Sequence, residues 1–394
     1  MKFFVRTFGC KVNHVDSARV VVSLLRAGHE QVFVEGEADS VIVNTCGVTA
    51  ESERRCRRVV RAAVGFGRQV LVMGCAPKVS VGGWCGGVDG VEVLGTVEGV
   101  CEKFGSVDCG SLCDGDRTRP CVVVQWGCDN VCSYCAVRGA RGSHFSVPVA
   151  DVVHAVRGCA TVSAEVVLAG INLAAWGCER TTEPSGSRVS ELIDAILTET
   201  EVRRLRLSSL GPQFLGTGFF RVFAQERVCD HLHLSVQSGS ESVLARMCRG
   251  YGVGEVEWIV REARRVRPYV AVTGDFIVGF PGETEADFSE TMSFAQRLGF
   301  AQLHVFPFSA RDGTVAAGMA DQVSASVKKD RARRLIDLGG RLRSEFVGAQ
   351  EGRVVSVVVL RDGTGVSTNG LRFGAVGGCV GDVVDCVIDP RMLC

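Results

Sequence analysis

Short, mainly apolar runs recur along the first part of the chain, and each ends in turn residues before a stretch with helical periodicity. The runs include FFVRTF, VIVN and VLVMG, and the helical stretches include VDSARVVVSLLRAG and AESERRCRRVVRAAV. This alternation is typical of a parallel sheet with helical crossovers. With a further short run, the pattern predicts strands at residues 3–8, 31–34, 41–44 and 69–73 in a flavodoxin-like order 2-1-3-4-5.

A second alternating series begins near Pro120. Its runs are CVVVQ, EVVLAG, RLRLSS, LHLSVQ, TGDFIVGF and QLHVFPFS, with helical stretches between them. Six such units predict a partial (β/α)6 barrel whose chemistry lies at the carboxyl ends of its strands. The last region contains GRVVSVVVL, GLRFGAV and GDVVDCVI, which predict a small all-β barrel with glycine-rich turns.

The sequence therefore predicts an α/β protein with domains at residues 1–115, 116–350 and 351–394. A chain of 394 residues with 46% hydrophobic content is sufficient for more than one core. The first apolar stretch breaks at Arg6 and no window holds 18 uninterrupted apolar residues, so we expect neither a secretory signal nor a membrane span. The expected location is the cytoplasm.

Three cysteines in the spacing C-x3-C-x2-C are the strongest chemical signal in the chain. Cys128, Cys132 and Cys135 stand in GCDNVCSYC, directly after the first strand of the second series. Thiolates suit iron-sulfur clusters, and three of them leave one iron of a [4Fe-4S] cluster open for chemistry. In a reducing compartment, the 19 cysteines indicate metal ligation and buried thiols rather than disulfides.

A second set of cysteines follows three strands of the first series. Cys10, Cys46 and Cys75 stand in FGC, NTCG and MGC, each just past the end of a predicted strand. The carboxyl ends of neighbouring parallel strands meet at one edge of a sheet, about 4.8 Å apart. These cysteines are therefore expected to converge there, and they suggest a second cluster with an open iron.

Several motifs resemble those of the methylthiotransferases, a family of the radical S-adenosylmethionine superfamily. They are GCKVN, NTCGVT, GCDNVCSYC, LAGINL, LRLSSL, HLHLSVQSGS, DFIVGFPGET and HVFPFSARDGT. The resemblance spans nearly the whole chain and implies a flavodoxin-like first domain followed by a radical S-adenosylmethionine barrel. The C-terminal region resembles the TRAM domain with which many of these enzymes grip tRNA.

The resemblance implies two [4Fe-4S] clusters and S-adenosyl-L-methionine as cofactors. One cluster would lie on the C-x3-C-x2-C cysteines and the other on the three strand-end cysteines, which makes all six candidate catalytic residues. A radical derived from S-adenosylmethionine would remove hydrogen from C2 of an adenine, a C–H bond that no side-chain base deprotonates. A methylated sulfur from the second cluster would replace it, so each turnover would use two S-adenosylmethionine molecules.

The motifs also suggest a substrate. GCKVN and NTCGVT are similar to the branch that acts on N6-threonylcarbamoyladenosine of tRNA, next to the anticodon on its 3′ side. The alternatives are the same chemistry on N6-isopentenyladenosine tRNA, whose branch usually reads GCQMN, or on a ribosomal-protein aspartate. A non-catalytic iron-sulfur carrier is a different class, but such carriers usually complete each cluster with four ligands.

Polar residues near the strand ends of the second series are candidate S-adenosylmethionine contacts because of their places in the matching motifs. They are Tyr134, Asn172, Ser208, Ser209, Gln237 and Asp275. Tyr134 is expected against the adenine. Serine and asparagine at strand ends also form ordinary turns and caps, so each residue has a purely structural alternative.

The formal net charge is zero, so an RNA contact must come from a local basic patch. Candidate RNA-binding residues are Arg54, Arg58 and Arg61 on one face of a predicted helix, and Arg138 and Arg141 after the cysteine loop. A solvated basic face is the plain alternative. The C-terminal region has four arginines against five acidic residues, which is unusual for an RNA-binding module. The expected partners are tRNA and an electron donor such as flavodoxin or ferredoxin, and the protein is expected to be a monomer.

Overall fold

The structure, a computed structural model, describes residues 1–66, 68–79, 84, 88–115, 117–178 and 188–394. Two α/β units are followed by a small antiparallel sheet. Within the described ranges, no helix has both the length and the apolar character needed to cross a membrane.

The first unit is a parallel sheet of five strands with helical crossovers. Its strands are β1 (Lys2–Thr7), β2 (Glu30–Gln31), β3 (Ser40–Thr45), β4 (Gln69–Gly74) and β5 (Val91–Gly95). Its helices are α1 (Lys11–Arg26), α2 (Ala50–Gly65), α3 (Ala76–Val79) and α4 (Val97–Lys103). The strand order is β2-β1-β3-β4-β5, which confirms the flavodoxin-like prediction and adds β5 to the strands located from the sequence.

Helix α1 is longer than its apolar pattern predicted, because it begins at Lys11 and not near Val15. Its later turns pack Val20 and Leu24 on the first sheet. Its first turns bury Val12 and Val15 against strands of the second unit. The helix therefore joins the two units. Its first turn is stabilised by contacts with residues that are distant in the sequence, such as Val123 and Ala169.

The second unit is the predicted partial barrel. Its strands are β6 (Cys121–Trp126), β7 (Phe145–Ser146), β8 (Glu165–Gly170), β9 (Arg204–Leu207), β10 (Ser209–Leu210), β11 (His231–Gln237), β12 (Ala271–Val278) and β13 (Gln302–Pro307). They form two four-stranded sheets in the orders β7-β6-β8-β9 and β10-β11-β12-β13. Since β9 and β10 are separated only by Ser208, they carry the chain from one sheet to the other. All neighbours are parallel except the short edge strand β7.

Eight helices accompany the described strands of this unit, and all but the first of them bury side chains in its main apolar core. Ala140 of that first helix packs with Cys75 and Val79 instead. The eight helices are α5 (Val137–Arg141), α6 (Val149–Ala160), α7 (Val189–Glu199), α8 (Thr217–Phe223), α9 (Glu241–Arg246), α10 (Val253–Val266), α11 (Glu285–Leu298) and α12 (Ala325–Gly348). Helix α12 is the charged helix that precedes the last region. It buries Leu335, Leu338 and Leu342 in the same core.

The last region forms a four-stranded antiparallel sheet with its own small core. Its strands are β14 (Val354–Val359), β15 (Gly365–Ser367), β16 (Arg372–Phe373) and β17 (Val383–Val387), in the order β16-β15-β14-β17. Val357, Leu371 and Phe373 are buried in this core together with Val347 from the end of α12. The all-β prediction for this region is confirmed, and its likeness to a TRAM domain stays a prediction.

A buried charge network attaches this small sheet to the amino ends of the barrel strands. Glu165 is fully buried, and it accepts hydrogen bonds from Arg206 at 2.6 and 3.1 Å and from Arg119 at 3.1 Å. Arg204 also pairs with it, at 2.7 Å. Both Arg204 and Arg206 donate onward to backbone carbonyls of the C-terminal sheet region, including that of Ser367. Burial alone would raise the pKa of Glu165, but the arginines hold it at about 2.

We expect Glu165→Gln to reduce the free energy of unfolding by about 3 kcal/mol, because it leaves buried arginines without their counter-charge. The measurement is urea unfolding, with limited proteolysis reporting release of the C-terminal sheet. Glu262→Gln is the matched control, since Glu262 pairs with the exposed Arg265 at 2.8 Å and should change stability by less than about 1 kcal/mol. Equal effects of the two substitutions would contradict the role of the network.

The same network makes a pH prediction. The folded pKa of Glu165, about 2, lies below its ordinary value of 4.5. Its ionised form therefore stabilises the fold fully above about pH 4.5, and this contribution is lost as the pH falls toward 2. The stability of Glu165→Gln should fall less steeply than that of the parent across this range.

Candidate active site

The three strand-end cysteines converge at the carboxyl edge of the first sheet. Cys10, Cys46 and Cys75 follow β1, β3 and β4, which are neighbours in the sheet. A Cβ atom built on Gly9 would lie 3.1 Å from the Cβ of Cys46, so the first two loops touch. The backbone N–H of Cys75 donates to Thr45 O at 3.0 Å, which joins the third loop to the second. Cys46 and Cys75 are buried and Cys10 is exposed.

Asn13 connects these loops by hydrogen bonds, a role that was not predicted from the sequence. Its side-chain amide donates to Phe8 O at 2.7 Å and to Thr45 O at 3.0 Å. In return, the amide of Asn44 donates to Asn13 O at 2.8 Å. The two asparagines stand in GCKVN and VIVN, three residues after Cys10 and two before Cys46, and this proximity to cysteine was the available signal.

Gly74 shows how closely the backbone approaches this site. Its φ of +96° lies in the left-handed region that favours glycine. A side chain there would collide with Asn44 and with the backbone of Thr45. Glycine at this position allows Cys75 to turn back toward the other two cysteines.

The C-x3-C-x2-C cysteines lie in the loop between β6 and α5, at the carboxyl end of the first barrel strand. Ser133 anchors this loop, because its N–H donates to Met247 O at 3.0 Å and its hydroxyl donates to Arg246 O at 2.8 Å. The backbone N–H of Cys128 also donates to Gly142 O at 3.1 Å. The loop is therefore held by the segment after α9 and by the end of α5.

Arg249, which sequence reasoning missed, faces this loop. Its Nη1 lies 3.0 Å from the sulfur of Cys132 and 3.3 Å from the hydroxyl of Tyr134. Its Nε donates to the hydroxyl of Tyr251 at 2.9 Å. Burial alone would lower the pKa of Arg249, but Tyr251, Tyr134 and Cys132 raise it above its ordinary value. A permanent positive charge therefore lies beside the cysteine loop. No short motif marks it in the sequence.

Two thiols of this loop, those of Cys128 and Cys135, hold their protons more tightly than an ordinary cysteine does. Burial raises the pKa of Cys135 to about 11 and also raises that of Cys128. Iron must therefore displace these protons when it binds. Among the described residues, no group of three or more His, Cys, Asp or Glu side chains is arranged to hold a single metal ion. The soft, three-thiol donor sets fit an inorganic cluster better, because each thiolate of a cluster binds a different iron.

A small cleft lies where the two cysteine sets approach each other. Cys75 lines it from the first sheet and Cys135 lines it from the barrel. Gly47, Val48, Val79, Tyr134, Ala136, Val137 and Ala140 complete its wall. The structure thus brings one cysteine of each predicted set to a common cleft, although Cys75 and Cys135 belong to different units.

Polar contacts near the carboxyl end of β13 hold the two units in this orientation. Glu53 of α2 and Arg311 form an ion pair, and both residues are buried. The N–H of Ala50, at the start of α2, donates to the hydroxyl of Ser309 at 3.1 Å. The helix after Cys46 is therefore tied to the barrel beside the cleft.

A larger pocket, of about 220 Å³, adjoins the barrel strands β11, β12 and β13. Three predicted cofactor contacts line it, namely Tyr134, Gln237 and Asp275. Gln237 has a φ of +74°, an uncommon backbone conformation for a residue with a side chain. The position of Asp275 is set by His233, whose Nε2 lies 3.0 Å from its carboxylate. Val48 and Thr49 from the first unit also line this pocket.

Two other predicted contacts have buried polar atoms without a partner. Within the described residues, neither the Nδ2 of Asn172 nor the hydroxyl of Ser208 makes a hydrogen bond. An unpartnered buried polar group costs about 1 to 3 kcal/mol, so these atoms fit a bound polar ligand. Both lie near the carboxyl ends of β8 and β9, and Ser209 is half-buried at the start of β10.

The candidate RNA-binding arginines separate into two groups. Arg54, Arg58 and Arg61 on α2 and Arg138 on α5 are exposed, although Arg54 pairs with Glu51 at 2.7 Å. Only 11% of the side chain of Arg141 is exposed, because it points to the sulfur of Cys75. Its position does not match a contact with an RNA backbone.

Two family profiles match this chain. The profile described as "Uncharacterized protein family UPF0004" matches residues 2–82, which include all three strand-end cysteines. The profile of the Radical SAM superfamily matches residues 122–295, which include the C-x3-C-x2-C loop.

Relatives resemble the chain over most of its length. The threonylcarbamoyladenosine tRNA methylthiotransferase MtaB of Thermotoga maritima is 33% identical over 88% of this chain and 84% of its own. MtaB of Bacillus subtilis is 32% identical over 89% and 83%. The tRNA-2-methylthio-N(6)-dimethylallyladenosine synthase of Pelobacter propionicus is 32% identical over 97% and 94%.

Solved structures share the fold at low sequence identity. The radical S-adenosylmethionine methyltransferase TsrM of Kitasatospora setae, solved with cobalamin and a [4Fe-4S] cluster, has a TM-score of 0.54 at 12% identity, over 80% of this chain and 77% of its own. The cobalamin-dependent enzyme OxsB has a TM-score of 0.54 at 8% identity, over 87% and 56%. These likenesses support the α/β architecture alone. The two cysteine sets, the matched profiles and the relatives together show that this chain belongs to the tRNA methylthiotransferase family of radical S-adenosylmethionine enzymes.

Proposed function

We propose that this protein inserts a methylthio group at C2 of N6-threonylcarbamoyladenosine in tRNA, next to the anticodon on its 3′ side. It would use two S-adenosylmethionine molecules and two [4Fe-4S] clusters. The observation that carries this proposal is the cleft that Cys75 and Cys135 share. A reaction that moves sulfur onto a carbon radical requires the radical source and the sulfur carrier to reach one substrate atom, and this cleft supports such an arrangement.

The barrel side of the cleft would hold S-adenosylmethionine. Cys128, Cys132 and Cys135 would bind three irons, and the open iron with its bound S-adenosylmethionine supplies the radical chemistry. Asn172 and Ser208 would donate their unpartnered hydrogen-bonding groups to this ligand. Tyr134, Ser209, Gln237 and Asp275 would complete its contacts, and three of these four line the adjoining pocket.

The first sheet would hold the sulfur carrier. Cys46 and Cys75 are buried and Cys10 is exposed, so the site is sheltered on one side and open on the other. Three thiolate ligands would leave one iron free to bind the sulfur that is transferred. The hydrogen bonds of Asn13 fix the loops around these cysteines.

Lys11 favours the threonylcarbamoyl substrate. It follows Cys10 directly, it is exposed, and no residue in the described part of the chain forms an ion pair with it. Burial lowers the pKa of His304 on β13, and His233 and Lys11 add to this effect, so the Lys11 ammonium lies within electrostatic reach of the barrel. The threonylcarbamoyl group carries a carboxylate that an ammonium can bind, whereas the isopentenyl group is apolar.

The isopentenyladenosine reaction is the second candidate, because a relative named for dimethylallyladenosine resembles nearly the whole chain at 32% identity. For either substrate, Arg54, Arg58, Arg61 and Arg138 offer exposed positive charge to an RNA backbone. The protein would act as a monomer in the cytoplasm and receive electrons from a flavodoxin or ferredoxin.

The test of substrate is nucleoside mass spectrometry of tRNA from a host that lacks its own methylthiotransferases, with and without this gene. We expect 2-methylthio-N6-threonylcarbamoyladenosine to appear only with the gene. The appearance of 2-methylthio-isopentenyladenosine alone would replace the proposed substrate with the second candidate. The absence of both products from a protein with loaded clusters would contradict the proposal for tRNA.

The two cysteine sets should separate the two halves of the reaction. We expect Cys128→Ala to abolish cleavage of S-adenosylmethionine, because its cluster would lose a ligand. Cys46→Ala should retain some cleavage but insert no sulfur, because it affects only the sulfur carrier. The measurement is chromatography of 5′-deoxyadenosine beside the modified nucleoside. Equal residual sulfur insertion in the two variants would refute the assignment of two clusters.

Lys11→Gln tests recognition of the substrate carboxylate. A charge-assisted hydrogen bond contributes about 1.5 to 3 kcal/mol, so kcat/KM for threonylcarbamoylated tRNA should fall about 10- to 100-fold. Lys2→Gln is the control, since Lys2 lies at the opposite end of β1 and is paired with Glu30. An unchanged kcat/KM in Lys11→Gln would remove this argument for the substrate.

A further inference from the structure

Arg141 is the polar side chain through which the barrel reaches the second cysteine set. It is the last residue of α5, six positions after Cys135. Its Nε lies 3.2 Å from the sulfur of Cys75, in hydrogen-bond geometry. The residue thus links the helix that follows one cysteine set to a cysteine of the other.

The remaining nitrogens of Arg141 are bound to the first turns of α1. Nη1 donates to the carboxylate of Asp16, and Nη2 donates to the side-chain oxygen of Asn13. Asp16 is buried and also lies 3.6 Å from Arg19. Three guanidinium nitrogens therefore bind three different acceptors, which a lysine ammonium on a flexible stem does not reproduce.

This contact has an electrostatic consequence for a cluster on Cys75. Hydrogen bonds to cluster sulfurs and nearby charge are among the factors that set the reduction potential of an iron-sulfur cluster. An N–H donor with a positive charge stabilises the more negative, reduced state of the cluster. Arg141 should therefore raise the potential at which the cluster accepts an electron.

We propose that Arg141 is a positioning residue for the second cluster, which orients the Cys75 sulfur toward the shared cleft and raises the reduction potential of the cluster. The inference rests on the second cluster of the proposed function. It assigns to Arg141 a role other than RNA binding. The proposed role also accounts for the contact of α5 with the first turns of α1, because Arg141 binds Asn13 and Asp16 while it reaches Cys75.

The experiment isolates the second cluster in a background with Cys128→Ala, Cys132→Ala and Cys135→Ala. Arg141→Ala, Arg141→Gln and the control Arg138→Ala are compared in this background after anaerobic reconstitution. Arg138 is exposed on the same short helix, so its substitution removes an equal charge without touching Cys75. The measurements are iron and sulfide content, and the midpoint potential from redox titration followed by electron paramagnetic resonance.

We expect the background and Arg138→Ala to bind about four irons per chain with the same midpoint potential. Both Arg141 variants should accept an electron at least about tenfold less favourably, which corresponds to a negative shift of about 59 mV for one electron. Arg141→Gln keeps a polar side chain, so its shift reports the charge even if Arg141→Ala loses the cluster. Loss of iron from both Arg141 variants, with an unchanged thermal unfolding midpoint, supports the positioning role.

Two further outcomes are distinguishable. If the background itself binds no iron, the second cluster of the proposed function fails, and the inference fails with it. If the background is loaded and the Arg141 variants keep its iron content and its potential, the inference about Arg141 is overturned while the proposed function stands.

Discussion

The packing of α1 between two sheets is the constraint on which the rest of the site depends. Val20 and Leu24 bind this helix to the first sheet, and Val12 and Val15 bind it to the barrel. Because Cys10 immediately precedes the helix, this packing also places the second cysteine set beside the barrel loop. The interdomain ion pair of Glu53 and Arg311 limits rotation about that contact.

A partly buried arginine lies beside each of the two cysteine sets. Arg249 lies beside the C-x3-C-x2-C loop and Arg141 lies beside Cys75, and each points hydrogen-bond donors at sulfur. Clusters with thiolate ligands are anionic, so a fixed guanidinium group would stabilise a cluster bound at either site, where burial would otherwise disfavour charge. The Glu165 network uses the opposite arrangement, since a buried carboxylate there is surrounded by arginines. It holds the C-terminal sheet at the amino ends of the barrel strands, opposite the two cysteine sets.

Much of the fold could be predicted because its signals are local. Alternating strands and helices gave the strand order of the first sheet, and cysteines directly after strands gave the edge at which they meet. Contacts that act across the chain were harder to predict. The four residues at the start of α1, residues 11–14, showed no clear periodic pattern, because Val12 packs on the second unit and not on the first sheet. Arg141 and Arg138 were both predicted to be surface residues that bind RNA. They differ because Arg141 is held by hydrogen bonds to Asp16 and Asn13 of α1.

The two cysteine sets, the strands that they follow and the family of the chain can all be inferred from local sequence. These features are carried by short spacings and by one-dimensional hydrophobic patterns, which need no knowledge of distant contacts. The folded molecule was needed to see that Cys75 and Cys135 share one cleft, that Asn172 and Ser208 keep unpartnered polar atoms, and that Arg141 contacts the second cysteine set. Each of these features depends on residues that are far apart in the sequence and close in space, and local sequence patterns do not encode such contacts.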